Sequence, residues 1–316
     1  MSRNTKNLIA LGVAWLLIFA VFSIFVPNQA FLSPRNIETL ARQSAIVAMA
    51  TLGATFVIVS AGIDLSAGSV AAFVSVVIAL ALKSSFDPSV AIILGVGAGA
   101  ICGFANGVLI TGLKVGPFIV TLGTLLMVRG LAKGIGNEQK IDAPLTWLNR
   151  LLSALPKGNE WQILPIGVWL TLVMALGMSV LLNRTRFGRH VVAVGSNESA
   201  ARLCGVPIEW VKLKVYILGG IFSGLAGLLL FSRLTVGDPT VAQGLELDVI
   251  AAVVIGGASL SGGQGSIAGS LLGALIMATI RAGGSQMGLP NWVQEIVTGT
   301  IIILAVTLDG FRRRRA

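Results

Sequence analysis

Long apolar runs separated by shorter polar segments extend through nearly the whole chain. Most runs are about 17–25 residues long, the length that an α-helix needs to cross the hydrocarbon core of a membrane. Only helices and closed barrels satisfy their backbone polar groups in lipid, and these runs lack the two-residue alternation of a barrel strand. The pattern predicts an all-α, polytopic helical membrane protein that forms a single transmembrane domain over residues 1–316.

Ten runs are predicted to be transmembrane helices, with eight as the alternative count. Three of them, Ser69–Leu82, Pro117–Leu131 and Leu247–Ala258, are short or interrupted by glycine, so they could be broken or re-entrant. The remaining seven are Leu8–Val26, Ile37–Ser60, Ser89–Thr111, Trp161–Leu182, Val215–Phe231, Ser266–Arg281 and Trp292–Leu308.

Charge predicts the orientation of these spans. Charged residues are only 11% of the chain, against about 25% in a soluble domain, and the net charge is +10. The basic residues lie at span ends and in loops without interleaved aromatic residues, which favours membrane orientation over nucleic-acid binding. Basic clusters at Arg312–Arg315 and between residues 183 and 214 predict that both termini and this segment are cytoplasmic.

The polar segment Asn183–Lys214, here called the island, is long and basic for a loop between membrane helices. Within it, Asn197 is predicted to cap a two-turn helix, Glu198–Cys204, which Gly205 and Pro207 then end. The helix would present a small apolar face made of Ala200, Ala201, Leu203 and Cys204. The island is therefore predicted to be a coupling loop that meets a soluble partner. The alternative is an amphipathic helix resting on lipid.

Glycine recurs at every fourth position in two of the predicted spans, which places the glycines on one helix face and indicates close helix packing. These glycines are Gly95, Gly99, Gly103, Gly107, Gly265, Gly269 and Gly273. Two glycine-rich breaks, Val57–Ser69 and Val254–Ser266, resemble each other and indicate an internal repeat.

Several polar residues are candidates for lining a translocation path. Asp64 is flanked by long apolar runs, so it either lines the path or caps the next helix, a role that Ser66 could share. Glu246 and Asp248 could face an outer vestibule or be favourable acids at a helix start. The other candidates offer amide, hydroxyl or aromatic groups, with helix packing as the alternative role: Asn106, Phe118, Thr121 and Thr124.

The sequence gives no support for enzyme chemistry. Leu260–Gln264 matches the LSGGQ signature of ABC ATPase domains, but the sequence contains no Gly-Lys-Ser or Gly-Lys-Thr phosphate loop. We therefore interpret the match as a chance similarity or a local glycine-rich hinge. The only histidine, His190, lies in the island, and no zinc motif is present. We predict a transport protein with no catalytic residue, no metal and no cofactor of its own.

Four stretches of the chain carry a family resemblance. They are GIDLSAGS, PFIVTLGTLLMVRG, TRFGRHVVAVGSNESAARLCGV and ELDVIAAVVIGGASLSGGQGSIAGSLLGALI. In order and over roughly Asn36 to Asp309, they resemble permease subunits of bacterial sugar-importing ABC transporters. The ribose type is the most similar, with arabinose, galactose and autoinducer-2 permeases as relatives.

The resemblance implies a multi-pass protein of the bacterial inner membrane that works as a homodimer or a heterodimer with a paralogue. It also implies a tandem-domain ABC ATPase that alone binds ATP and Mg²⁺, and a periplasmic sugar-binding protein. A coupling surface is implied at Arg186, Gly188, Arg189, Gly195, Asn197, Glu198, Ala201, Arg202 and Gly205.

The expected function is inward transport of a monosaccharide, either a ribose-like pentose or a hexose. The alternatives are an ABC permease for another polar solute, such as a branched-chain amino acid, a nucleoside or autoinducer-2, and a self-sufficient secondary transporter. Cys204 stands where a small hydroxyl residue is common, and the outer loop Gly134–Glu160 differs from the ribose type. These departures leave the identity of the sugar open.

Overall fold

The computed structural model describes residues 3–155 and 162–314. Its helices in chain order are α1 (Arg3–Phe25), α2 (Pro34–Val59), α3 (Ala67–Lys83), α4 (Pro88–Leu113), α5 (Pro117–Ile135), α6 (Ile166–Arg184), α7 (Arg186–Ser196), α8 (Glu198–Leu203), α9 (Ile208–Leu234), α10 (Leu245–Ile255), α11 (Ile267–Gln286) and α12 (Asn291–Arg314). Two 3-10 helices, Pro27–Leu32 and Trp147–Arg150, and two short strands, β1 (Ile141–Asp142) and β2 (Val236–Gly237), are the other elements of the described residues. The predicted all-α membrane protein is confirmed.

Each of the ten predicted spans overlaps one helix, from α1 to α6 and from α9 to α12. Within the described residues, seven helices are long and apolar enough to cross a membrane: α1, α2, α4, α5, α6, α9 and α11. The interpretation of the fifth span as short or broken is wrong, because α5 is a continuous helix of 19 residues. The predicted start of the sixth span, Trp161, lies outside the described residues.

The third and eighth spans are short, as their sequences indicated. Helix α3 has 17 residues and α10 has only 11. At 1.5 Å of rise per residue, α10 is about 16 Å long, roughly half of the ~30 Å hydrocarbon core. Helix α10 alone is therefore too short to cross the hydrocarbon core.

Proline and a capping side chain together fix the starts of two long helices. Pro34 opens α2, and the Ser33 hydroxyl accepts a hydrogen bond from the Asn36 amide at 3.3 Å. Pro88 opens α4, where the Asp87 carboxylate accepts from the Ser89 amide at 2.8 Å. In both helices the proline occupies a position whose N–H has no partner within the helix, so it costs no hydrogen bond.

Helix α9 is central, and it packs most extensively on α4, α2 and α3. Glycines on α4 make this approach possible: a methyl group on Gly99 would lie 2.6 Å from the Gly220 carbonyl oxygen, and one on Gly103 would collide with the Tyr216 carbonyl oxygen. At the two ends of the α4 ridge, Gly107 faces Leu213 of α9 and Gly95 faces Ile78 of α3. Contacts at this distance leave no room for any larger residue.

The glycines of α11 and of the loop before it pack in the same way. A methyl group on Gly269 would collide with the Gly256 carbonyl oxygen, and one on Gly273 with that of Ala252, so α11 lies directly against α10. Gly265 lies in the loop before α11, so its predicted place on the glycine face of this helix is wrong, and it is enclosed by Val59 and Ala258.

Different elements lie at the two ends of the helix bundle. The island, with α7 and α8, lies where α6 ends and α9 begins. At the opposite end, here called the outer end, the start of α2 and the end of α11 meet through a hydrogen bond from Gln286 to Asn36. The backbone amide of Leu152 donates to Ser232 at the end of α9, at 2.8 Å, so the outer loop covers this end.

Strands β1 and β2 also lie at the outer end and pair antiparallel. Beside them, the Lys140 ammonium lies 3.4 Å from the Asp238 carboxylate. Burial alone would raise the pKa of Asp238, but hydrogen bonds from Thr240 and the Lys140 charge outweigh burial and lower that pKa below its usual value. The outer loop is thus attached to the segment between α9 and α10.

Candidate translocation path and coupling surface

A buried polar cluster surrounds the break between α2 and α3. The Asp64 carboxylate accepts hydrogen bonds from the backbone amide and the hydroxyl of Ser66, at 2.8 and 2.6 Å. The Asn106 amide donates to the Ser66 hydroxyl at 3.0 Å, and Thr124 donates to the Asn106 carbonyl oxygen at 2.5 Å. Four of the predicted path residues therefore form one chain of hydrogen bonds that links the break to α4 and α5.

Asp64 shows features of both roles considered for it. It orders the chain just before α3, as a capping residue would, but it is also buried inside the protein. A buried carboxylate is costly unless hydrogen bonds compensate, and Ser66 supplies two of them. These hydrogen bonds stabilise the backbone between α2 and α3. A role for Asp64 in transport stays a prediction.

The carbonyl oxygen of Ile63 is a second polar point in this break. Thr121 of α5 donates to it at 3.2 Å, and Tyr216 of α9 donates to it at 3.3 Å. Sequence reasoning did not select Tyr216. The sequence feature that could have identified it is that Tyr216 is the only tyrosine of the chain and lies in an apolar span. A tyrosine hydroxyl in such a span needs a hydrogen-bond partner. Hydrogen bonds from side chains of α4, α5 and α9 therefore stabilise the break.

Phe118, Glu246 and Asp248 are not hydrogen-bonded into this cluster. Phe118 is 52% exposed at the start of α5. Glu246 and Asp248 lie in the first turn of α10, where the Asp248 carboxylate is 2.7 Å from the Arg281 guanidinium of α11. A methyl group on Gly68, at the start of α3, would collide with Glu246, so α3 and α10 begin beside each other.

Arg129 of α5 is a further functional candidate that sequence reasoning missed. Its guanidinium donates to the carbonyl oxygens of Pro239 and Val241, at 2.9 and 2.6 Å, and holds the segment that leads into α10. The sequence feature that could have identified it is an arginine within the apolar stretch PFIVTLGTLLMVRG. An ionisable residue in such a stretch needs a partner.

The island contains two helices where one was predicted. Helix α8 (Glu198–Leu203) coincides with the predicted helix and ends one residue earlier, and the Asn197 side chain accepts from the Ala200 amide at 2.9 Å. Helix α7 was missed, because its glycines and basic residues masked an amphipathic pattern. Thr185 caps α7 by accepting from the Gly188 amide at 3.1 Å.

The predicted apolar face of the second island helix is only partly exposed. Ala201 is buried against its own chain, so its inclusion in that face is wrong. Leu203, by contrast, is 91% exposed, and Trp210 at the start of α9 is 63% exposed. Glu198 binds Arg202 and Lys212, and Arg202 also lies 2.8 Å from Glu209, so α8 is tied to α9 by ion pairs.

The nine predicted coupling residues divide into two groups. Gly188, Gly195 and Ala201 are buried. The other six are exposed on the island: Arg186, Arg189, Asn197, Glu198, Arg202 and Gly205.

Gly195 lies at a junction of three backbone segments. A methyl group there would collide with the Val59 carbonyl oxygen at the end of α2 and would lie 2.6 Å from the Gly263 amide. That amide donates to the Val59 carbonyl oxygen at 2.8 Å. Gly263 belongs to the LSGGQ stretch, which forms the turn between α10 and α11, with Gly262 and Gly263 at φ of +86° and +76°. The end of α7 therefore touches both glycine-rich breaks.

No group of three or more His, Cys, Asp or Glu side chains within the described residues could hold a metal ion. The helical fold and its seven long apolar helices within the described residues define a multi-pass membrane protein.

The chain belongs to the family described as branched-chain amino acid transport system / permease component, which matches residues 36–306. It is 42% identical over 295 residues to the ribose import permease protein RbsC of Bacillus subtilis, covering 93% of this chain and 90% of the relative. It is 36% identical to the L-arabinose ABC transporter permease protein AraH of Azospirillum brasilense, with coverage of 96% and 87%. It is 33% identical to the xylose transport system permease protein XylH of Escherichia coli K12, with coverage of 96% and 92%. No solved structure matches the chain.

Proposed function

We propose that this chain is the membrane-spanning subunit of an ATP-driven importer that moves a monosaccharide inward across the bacterial inner membrane. A pentose such as ribose, arabinose or xylose is the favoured solute, because relatives of 33–42% identity over most of the chain carry these sugars in their names. The family description names branched-chain amino acids, which is the second candidate.

The observation that carries the proposal is the contact of the island with both helix breaks. Gly195 of α7 packs on Val59, beside the break that contains Asp64, and on Gly263, in the break before α11. A force on the island would therefore reach both irregular segments directly, without passing through a long chain of side chains. Helix breaks are where transporter folds bind and release solutes.

The exposed surface of the island suits a protein partner. Leu203 and Trp210 present apolar area amid exposed basic residues, including Arg186 and Arg189. Buried aromatic and aliphatic anchors with a polar rim are the usual composition of an interface, with tryptophan and arginine among its strongest contributors. We assign this surface to an ABC ATPase with tandem nucleotide domains, which would bind ATP and Mg²⁺. The protein itself performs no catalysis in this proposal.

Two further partners complete the proposed transporter. A periplasmic sugar-binding protein would deliver the solute to the outer end, and a second permease subunit, identical or paralogous, would complete the path. Both termini would be cytoplasmic, on the same side as the island, consistent with the basic residues at the C-terminus and in the island.

Reconstitution of the complete transporter in proteoliposomes tests the proposal. We expect ATP-dependent uptake of at least one of D-ribose, L-arabinose and D-xylose, and no uptake of L-leucine. Leu203→Asp should abolish this uptake without unfolding the permease, because the side chain is 91% exposed and contributes little to the fold. Leu203→Met is the matched control, since it keeps an apolar side chain at the same exposed position. Equal uptake by the two variants, or uptake of leucine alone, would contradict the proposal.

A further inference from the structure

A cavity of about 550 Å³ lies at the outer end of the bundle, and no residue of the island or of the hydrogen-bonded cluster around Asp64 lines it. Helices α2, α9, α10 and α11 form its walls, and α12 contributes Gln294. Ligand sites of small molecules are commonly about 300–1,000 Å³. Among the lining residues, five are amides: Asn36, Gln43, Gln243, Gln286 and Gln294.

Polar groups with unused hydrogen-bonding capacity converge on this cavity. The side chains of Gln43 and Gln243 line it and form no hydrogen bond with any described residue; Gln43 is half-buried and Gln243 is exposed. The Arg281 Nε atom and the Gln286 Oε1 atom are buried, and neither has a partner among the described residues. Buried polar atoms in folded proteins are almost always paired, so these two unpaired buried atoms at one cavity indicate a polar occupant.

The charges around the cavity select the chemistry of that occupant. Two guanidinium groups, those of Arg233 and Arg281, line the cavity, and its only carboxylate, Asp248, is 5% exposed and bound to Arg281. No carboxylate is thus free to pair with the ammonium group of an amino acid. The amides offer donors and acceptors together, which suits hydroxyl groups that both donate and accept.

We propose that this cavity is a low-affinity site for a neutral sugar on the permease itself, where the sugar binds before it reaches the helix breaks. The inference rests on the proposed function and adds to it a defined sugar site within a single chain. Gln43 and Gln243 hydrogen-bond the sugar hydroxyls, and the Arg281–Asp248 pair forms the base of the site. Weak binding suits a transit site, because a transported solute must also leave it.

Saturation-transfer NMR on the full-length permease in nanodiscs, with no binding protein or ATPase, tests this site. The probes are D-ribose, L-arabinose and D-xylose, with L-leucine as the comparator. We expect at least one pentose, and not leucine, to give saturable transfer. The apparent Kd should rise about tenfold or more in the Gln43→Leu/Gln243→Leu variant, since two hydrogen bonds are lost. The Gln139→Leu variant, which changes an exposed glutamine of the outer loop, should match the unmodified chain.

Uptake by the complete transporter separates failure of this inference from failure of the proposed function. If the transporter imports a pentose but the permease alone shows no saturable transfer, the cavity site is wrong and the proposed function stands. The same holds if the Gln43→Leu/Gln243→Leu and Gln139→Leu variants bind the pentose equally. If the transporter imports leucine and no pentose, the proposed function is wrong, and the sugar site falls with it.

Discussion

Replacement of Gly195 by alanine is expected to damage the junction between the island and the two helix breaks. The added methyl group would collide with the Val59 carbonyl oxygen and crowd the Gly263 amide, and both are backbone atoms that no rotamer change can move. Helix α7 must therefore shift away from α2, or the 2.8 Å hydrogen bond between Gly263 and Val59 must open.

The size of this effect follows from two contributions. Overpacking a close contact costs about 1–3 kcal/mol, and leaving a buried backbone donor unpaired costs a similar amount. We therefore expect a loss of about 2–6 kcal/mol if both occur. Gly177→Ala is the matched control, because a methyl group on Gly177 of α6 meets no atom within 4 Å, and alanine is a better helix former than glycine.

Two measurements on the purified protein examine the Gly195 prediction. Thermal unfolding should show a lower midpoint for Gly195→Ala than for Gly177→Ala. In the reconstituted transporter, sugar uptake per folded permease should fall for Gly195→Ala while ATP hydrolysis continues, because the island would move without moving the breaks. Equal stability and equal uptake of the two variants would refute the reasoning.

Two further substitutions test other parts of the structure. Asp64→Leu should lower stability by about 2–3 kcal/mol, because the Ser66 amide and hydroxyl lose their acceptor, whereas Asp64→Asn keeps an oxygen acceptor and should lose less. Thermal unfolding separates the two, and equal losses would contradict this account of the break. Arg281→Met should destabilise the protein by about 2 kcal/mol, below the ~3–5 kcal/mol of a fully buried pair because the Arg281 side chain is 42% exposed. The double variant Arg281→Met/Asp248→Leu should recover most of this loss, and no recovery would show that the charge of Asp248 is not the cause.

Hydrophobic periodicity and helix signals located most of the helices, because each depends on residues close in sequence. The capping residue Asn197 predicted the start of α8, and each apolar run predicted one of the span helices. The continuity of α5 was missed because Gly123 and Gly130 read as interruptions, although open space surrounds both glycines in the structure. Local sequence does not show whether a glycine packs against a neighbour or simply lies within a helix.

The candidate site was only partly predictable, because its contacts join residues far apart in sequence. Asp64, Ser66, Asn106 and Thr124 were chosen singly as polar residues in apolar runs, and only the fold joins them into one network. The junction at Gly195 depends on backbone atoms, which carry no sequence signal.

Flux through the permease alone is the most direct test of the claim that this chain moves solute only when a partner acts on its island. The full-length permease in liposomes, without ATPase or binding protein, should show no saturable uptake of D-ribose, L-arabinose or D-xylose. Addition of the ATPase, the binding protein and ATP should then start accumulation of at least one of these sugars. Rapid, saturable flux of any of the three sugars by the permease alone would contradict the account.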